Sequence, residues 1–152
     1  MVDVGEKAET ERVAEAVGML ITAAGTVEVL ERGGAPKGDP LVVAQIAGIQ
    51  AAKRTAELIP LCHQLPLTRV SVRLDVDRSL PGIRVHAEAR VVARTGVEME
   101  ALTAATVALL TLYDMLKAID RSMRIEGVRL TRKSGGRSGD YAAADRDTSE
   151  SS

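Results

Sequence analysis

Two stretches in the middle of the chain restrict its fold more than any other feature. From Arg69 to Asp77, Val70, Val72, Leu74 and Val76 alternate strictly with Arg69, Ser71, Arg73, Asp75 and Asp77. After the turn residues Arg78-Ser79-Leu80-Pro81-Gly82, the residues Ile83, Val85, Ala87, Ala89 and Val91 alternate with Arg84, His86, Glu88 and Arg90. A period of two sends successive side chains to opposite faces of a strand. The pair therefore predicts a hairpin with one buried face and one charged face. The charged face is either wet or a contact between copies. His86 falls on that outward phase and reads as exposed.

The flanking segments supply the helices. Val13, Val17, Met19 and Ile21 share one alternating phase, interrupted by Glu15, and predict an earlier strand over 13–21. Thr22 to Gly33 predicts a short helix closed by Gly33-Gly34 and Pro36. Asp39-Pro40 is a helix start, an acceptor at the cap followed by proline in the first turn. That helix is expected to carry Leu41, Ile46, Ile49, Ala52 and Ala56 and to stop near Ile59, ahead of Pro60. A second long helix begins around Glu98, with Met99, Leu102, Thr106, Leu109, Tyr113 and Leu116 as its expected apolar stripe. A last strand over 124–132 leads into Ser134-Gly135-Gly136-Arg137-Ser138-Gly139-Asp140. The order strand, helices, strand, strand, helix, strand suits an α+β sandwich of the ferredoxin-like kind, with helices on one face of an antiparallel sheet. Residues 1–141 form one expected domain, and 142–152, poor in apolar residues, an expected disordered tail.

Composition narrows the function. The chain has 152 residues, two Tyr, no Phe and no Trp, so its core is aliphatic and it lacks the aromatic platforms that single-stranded nucleic acids stack on. A net charge of −1 gives no global field for a polyanion. No nucleic-acid partner is expected, and any phosphate must be held by a local cluster. One cysteine and two histidines are too few for a convincing zinc site or a disulfide. No apolar run approaches the roughly 20 residues of a membrane helix. Met1-Val2-Asp3-Val4-Gly5-Glu6 lacks the apolar stretch of a secretory signal, so a cytoplasmic, membrane-free setting is expected.

Several residues have chemistry that needs explaining. Asp114 and Lys117 stand three apart, on one face of the second long helix. A carboxylate beside an ammonium is an acid–base couple where water is excluded, and an ordinary surface ion pair where it is not. Glu98 and Glu100 open the same helix, where acidic groups also simply oppose the helix dipole. Lys37 precedes the Asp39 cap, at a helix start suited to anions. Lys53 lies near that helix's end, with Glu57 as a mundane partner. Lys133 precedes a glycine-rich run whose amides can wrap an oxyanion. Cys62 and His63 are adjacent in a loop, where ligand contact and a structural role are both open.

Taken together, these segments resemble the cyclic pyranopterin monophosphate synthase family, the MoaC family. The resemblance rests on Met1-Val2-Asp3-Val4, Lys37-Gly38-Asp39, Ile46-Ala47-Gly48-Ile49-Gln50-Ala51-Ala52-Lys53-Arg54-Thr55 and Leu58-Ile59-Pro60-Leu61-Cys62-His63. It continues through Thr95-Gly96-Val97-Glu98-Met99-Glu100-Ala101-Leu102-Thr103-Ala104, Tyr113-Asp114-Met115, Lys117-Ala118 and Lys133-Ser134-Gly135-Gly136. These blocks run in order from Met1 to about Tyr141. The resemblance implies a lyase that converts a cyclised dihydro-GTP, (8S)-3',8-cyclo-7,8-dihydroguanosine 5'-triphosphate, to cyclic pyranopterin monophosphate and diphosphate during molybdenum cofactor biosynthesis. By position it makes Asp114 and Lys117 the catalytic pair. It makes Leu61, Cys62, His63, Met99 and Glu100 substrate-binding, and has Glu98, Lys37, Arg12, Lys53 and Lys133 line the pocket. It also implies a homohexamer, a trimer of dimers with pockets where subunits meet. No organic cofactor is implied, though a divalent ion could accompany the triphosphate. Arg137 stands where many relatives have Lys, which keeps the charge and alters its hydrogen-bond geometry.

Overall fold

The structure, a computed structural model, describes residues 1–144. Strand β1 (Thr10–Ile21) is followed by helices α1 (Ala24–Glu31), α2 (Pro40–Lys53) and the single turn α3 (Thr55–Leu58). The hairpin β2 (Arg69–Asp77) and β3 (Gly82–Ala93), helix α4 (Glu98–Leu116), strand β4 (Arg124–Ser134) and a short β5 (Tyr141–Ala142) complete the chain. The strands form one sheet in the order β2-β3-β1-β4-β5, with every neighbouring pair antiparallel. This is the expected ferredoxin-like α+β arrangement. α4 packs across β1, β3 and β4, and α2 packs on α4 and β2, so both long helices cover one face.

The predicted hairpin is present in the expected register: Val72 pairs with Ala87 and Leu74 with Val85. Ile83, Val85, Ala87, Ala89 and Val91 are buried. The inward face of β1 is the opposite of the expected one. Arg12, Ala14, Ala16, Gly18 and Leu20 are buried, while Val13, Val17, Met19 and Ile21 lie half-buried on the open face. Size decides this along the middle of the strand, where Ala14, Ala16 and Gly18 face inward and α4 comes closest at Gly18. A Cβ on Gly18 would stand 2.6 Å from Leu109 Cδ1.

The same closeness alters the expected helix stripes in part: Leu109, Leu116 and Ala52 are buried as expected, and Leu102, Tyr113, Leu41 and Ile49 pack partly buried against the core. On α4 the buried residues include Ala101, Ala104, Ala105, Ala108, Leu109, Leu112 and Leu116, while Met99 and Thr106 are exposed. On α2 they are Pro40, Ala44, Gly48, Ala51 and Ala52, and Ile46 is half exposed. Gly48 sits where a Cβ would come within 2.8 Å of the Ala104 carbonyl oxygen. Small residues bring the backbones together and leave larger ones on the flanks. Each fully buried leucine of α4 contributes about 2 kcal/mol through removal of apolar surface from water.

Asp39 caps α2 as expected, accepting from the amides of Leu41 and Val42. The helix does not run on to Ile59. It breaks at Arg54, and the buried Thr55 hydroxyl donates to the carbonyl of Ala52 at 2.9 Å, competing for the backbone at the break.

At the other end of α4, Asp120 is buried. Its carboxylate accepts from the Ala23 amide at 2.8 Å, the Thr26 hydroxyl at 2.9 Å and the Ser122 amide at 2.8 Å. Burial opposes ionisation of this group, but those hydrogen bonds outweigh it and hold its pKa at about 2.

Two further expectations change. α4 spans 19 residues and is apolar enough by length and composition to cross a membrane, so the chain does contain a run of that size. Its flank against α2 and the sheet accounts for the apolarity, since it is the central core helix. The expected tail also starts too early: Arg132 pairs with Ala142, and the Ala143 amide donates to the Thr131 carbonyl at 2.8 Å. Residues 145–152 of that tail lie outside the described residues.

Candidate active site

The residues singled out from the sequence gather at three places. The first surrounds the N-terminal end of α4, where two cavities meet. One, of about 560 Å³, is lined by Arg12, Arg94, Lys133, Gly135, Gly136 and Arg137 among others. The second, of about 340 Å³, is lined by Leu61, Cys62, His63, Met99 and Glu100 among others. Lys7, Thr95, Gly96 and Glu98 line both.

Arg12 enters the larger cavity from the buried face of β1. It is 9% exposed, and its Nε has no hydrogen-bond partner among the described residues. A buried guanidinium donor without an acceptor is costly and calls for an anion. The glycine pair after β4 makes room for it. Gly136 has φ +84°, and a Cβ there would collide with the Arg12 guanidinium. Lys133, on β4, donates to Glu98 Oε1 at 3.2 Å and to the Ser138 hydroxyl at 2.9 Å. The loop after it is closed by Asp140, which accepts from the Gly135 amide at 3.2 Å.

The smaller cavity is less charged. Glu100, in the first turn of α4, is 4% exposed, and burial pushes its carboxyl pKa up, with Glu98 adding to the effect. Burial and the charge of Glu100 also push the Cys62 thiol up. A thiol held protonated is not an activated nucleophile. Cys62 therefore contributes shape and a weak donor. His63 faces the same cavity from the loop between α3 and β2.

The second place is the C-terminal end of α4. Lys117 Nζ lies 2.7 Å from Asp114 Oδ1, and Lys37 Nζ lies 3.0 Å from Asp114 Oδ2. Lys37 arrives from the turn before α2, 77 positions away in the chain. The two ammonium groups hold the Asp114 carboxyl below the usual carboxylate range, Lys117 first and Lys37 second. All three side chains are about half exposed, at 53% for Asp114, 55% for Lys117 and 46% for Lys37. Within one chain this trio is separate from the two cavities. Glu98 and Asp114 are 16 positions apart on α4, about 24 Å of helix at about 1.5 Å per residue.

Lys53 marks the third place. It is exposed at the end of α2 and lines a separate cavity of about 530 Å³ with Ile49, Leu65 and Leu67. Leu65 also lines the His63 cavity, so the two adjoin.

The sequence reading missed Lys7 and Arg94. Thr95 and Gly96 entered only within the Thr95–Ala104 block of the resemblance, with no role of their own. Lys7 offered a signal, a basic residue three positions after the Met1–Val4 block. Arg94 offered none, because its place follows from where β3 ends. No group of three or more His, Cys, Asp or Glu side chains converges as a metal-binding set among the described residues.

The outward residues of the sheet behave as expected in part. His86 is only partly exposed, and burial lowers its pKa, with the Arg73 charge acting the same way.

An open antiparallel sheet roofed by helices, with a cation-lined cavity sharing a wall with a carboxyl-and-imidazole cavity, defines an α+β enzyme domain. The chain belongs to the MoaC family, whose description matches residues 1–136. It is 59% identical over 143 residues to the cyclic pyranopterin monophosphate synthase of Methylobacterium sp. (strain 4-46), covering 94% of this chain and 89% of that protein. It is 57% identical over 145 residues to the protein of the same name from Brucella ovis, covering 95% and 88%. The synthase of Methylobacterium nodulans is 59% identical over 143 residues, 94% of this chain and 89% of that one.

Proposed function

We propose that this protein is a lyase of molybdenum cofactor biosynthesis. It converts (8S)-3',8-cyclo-7,8-dihydroguanosine 5'-triphosphate to cyclic pyranopterin monophosphate and diphosphate. One observation carries the reading beyond family membership: the two cavities with a common wall suit a molecule with a triphosphate at one end and a fused ring at the other. The unpartnered Arg12 guanidinium, Lys133 and Arg137 face the phosphates. His63, Glu100, Leu61, Cys62 and Met99 face the ring.

The reaction opens the purine-derived ring, rebuilds it as a pterin, and closes a phosphate ring. In the last step a sugar hydroxyl bonds to the α-phosphorus, the bond to the bridging oxygen breaks, and diphosphate leaves with its charge. The hydroxyl proton must go to a base. Asp114, kept ionised by Lys117 and Lys37, is suited to accept protons, and the Lys117 ammonium to return them. Glu100, facing the ring cavity from the first turn of α4, is placed to exchange a proton with a ring atom. The cations of the larger cavity stabilise charge on the departing diphosphate. No organic cofactor is needed. A divalent ion would be held through phosphate oxygens, since the described residues offer it no convergent set of side chains.

The separation of Asp114 from the cavities supports a site shared between copies. The trio Lys37, Asp114 and Lys117 of one copy would complete the two-cavity site of another, as expected for a trimer of dimers. Lys53, next to the ring cavity, would join the site from its rim. A reducing cytoplasmic setting fits the single cysteine.

Purified protein given the cyclised triphosphate should release diphosphate, and Asp114→Asn should nearly abolish release. Full activity in that variant would remove Asp114 from the mechanism. Mixing inactive Asp114→Asn and His63→Ala copies should regain activity if the site is shared. Mixtures as inactive as their parents would place both residues' roles within one chain. Sedimentation would report the hexamer.

A further inference from the structure

The N-terminal residues Met1–Glu9 form no helix or strand, yet they build part of both cavities. Val2 and Val4 line the smaller, Glu6 and Ala8 the larger, and Lys7 lines both. The segment is folded on itself: the Gly5 amide donates to Asp3 Oδ1 at 2.8 Å, and the Lys7 amide to the Val4 carbonyl at 3.1 Å. One side chain joins this turn to the sheet. Arg94, just past the end of β3, donates through Nη1 to the Gly5 carbonyl at 2.9 Å, and its Nε lies 3.9 Å from Glu9 Oε1. Lys7 itself makes no salt bridge among the described residues, so its ammonium is free to meet a ligand.

We propose that Arg94 is a positioning residue that pins the N-terminal turn so that Lys7 stands in the wall between the two cavities and binds the phosphate joining ring and chain. This rests on the lyase reading for the ligand, and the geometry gives the reason. In the substrate the α-phosphate is the point where the ring-bearing part meets the leaving diphosphate. A cation in the shared wall is the one placed to reach it. The other cations that line only the larger cavity, Arg12, Lys133 and Arg137, meet the outer phosphates instead. Arg94 would act through Lys7 without touching the α-phosphate, because its guanidinium is engaged by the Gly5 carbonyl and Glu9.

The test uses full-length protein and inorganic triphosphate as the probe, with binding measured by calorimetry. Lys7→Gln and Arg94→Ala should each weaken binding about tenfold, the loss of one charge-assisted hydrogen bond. The double variant should bind no more weakly than the worse single one, since both changes remove the same contact. Arg94→Lys should recover part of the loss. Amide hydrogen exchange at Lys7 should quicken in Arg94→Ala and stay at the wild-type rate in Lys7→Gln. The proposal is overturned if losses add in the double variant, if Arg94→Ala binds triphosphate as wild type does, or if exchange at Lys7 does not respond to Arg94. These arms need no turnover. Wild-type protein that binds triphosphate but leaves the cyclised nucleotide intact would overturn the lyase reading alone.

Discussion

Lys133 Nζ stands 3.2 Å from Glu98 Oε1, so an ion pair ties the end of β4 to the first turn of α4 at the wall between two cavities. Both side chains are largely shielded, at 25% and 31% exposure. Removing the lysine leaves Glu98 facing the phosphate cavity without its counter-charge. Lys133→Ala should raise KM for the cyclised triphosphate about 10- to 100-fold, the worth of a charge-assisted contact to an anion. Its kcat should change much less. A fall in kcat at unchanged KM, measured by diphosphate release, would instead place Lys133 at the reacting atoms.

The trio at the other end of α4 sets a pH dependence. Asp114 is held below the ordinary carboxylate range, chiefly by Lys117 and then by Lys37. A group that must be ionised is active above its pKa and lost as pH falls through it. Taking away Lys37 removes one of the two cations and lets that pKa climb. The acid limb of kcat/KM against pH should therefore move to higher pH in Lys37→Ala, measured at saturating and limiting substrate. An acid limb that stays in place would separate it from Asp114.

Glu100 makes the opposite prediction for stability. Burial raises its pKa in the folded protein. Any stabilisation from its proton is complete below the unfolded value near 4.5 and is lost as pH rises through the folded value. At neutral pH the fold thus carries a cost for keeping this carboxyl where it is. Glu100→Gln should raise Tm at pH 7 to 8, show little difference near pH 4, and lower diphosphate release. An equal Tm at both pH values would mean that the carboxyl is better solvated than its burial implies.

What was legible in the sequence follows from what local pattern can encode. The β2–β3 hairpin was readable because strict alternation assigns faces without knowledge of neighbours. The pairing of Asp114 with Lys117 was readable because a spacing of three on a helix fixes proximity. β1 was assigned the wrong inward face because bulk was taken as the sign of burial. Ala14, Ala16 and Gly18 are inside because α4 comes close, and that is a tertiary fact. The α4 stripe was legible at Leu109 and Leu116, which are buried, but not at Met99, which is out while Ala104 and Ala108 are inside for the same reason. Lys37 meets Asp114 across 77 positions, and no local spacing announces that. Nor does spacing reveal that Arg12, alone among the cations discussed, is buried.

α4 also behaves as a gauge rod. Under the proposed shared site its first turn presents one half of the machinery and its last turn the other, so the number of residues between them fixes how far apart the two halves lie on one copy. Lengthening or shortening it by one turn would displace one half by about 5.4 Å. The chain can exchange side chains along this helix more freely than it can change their count.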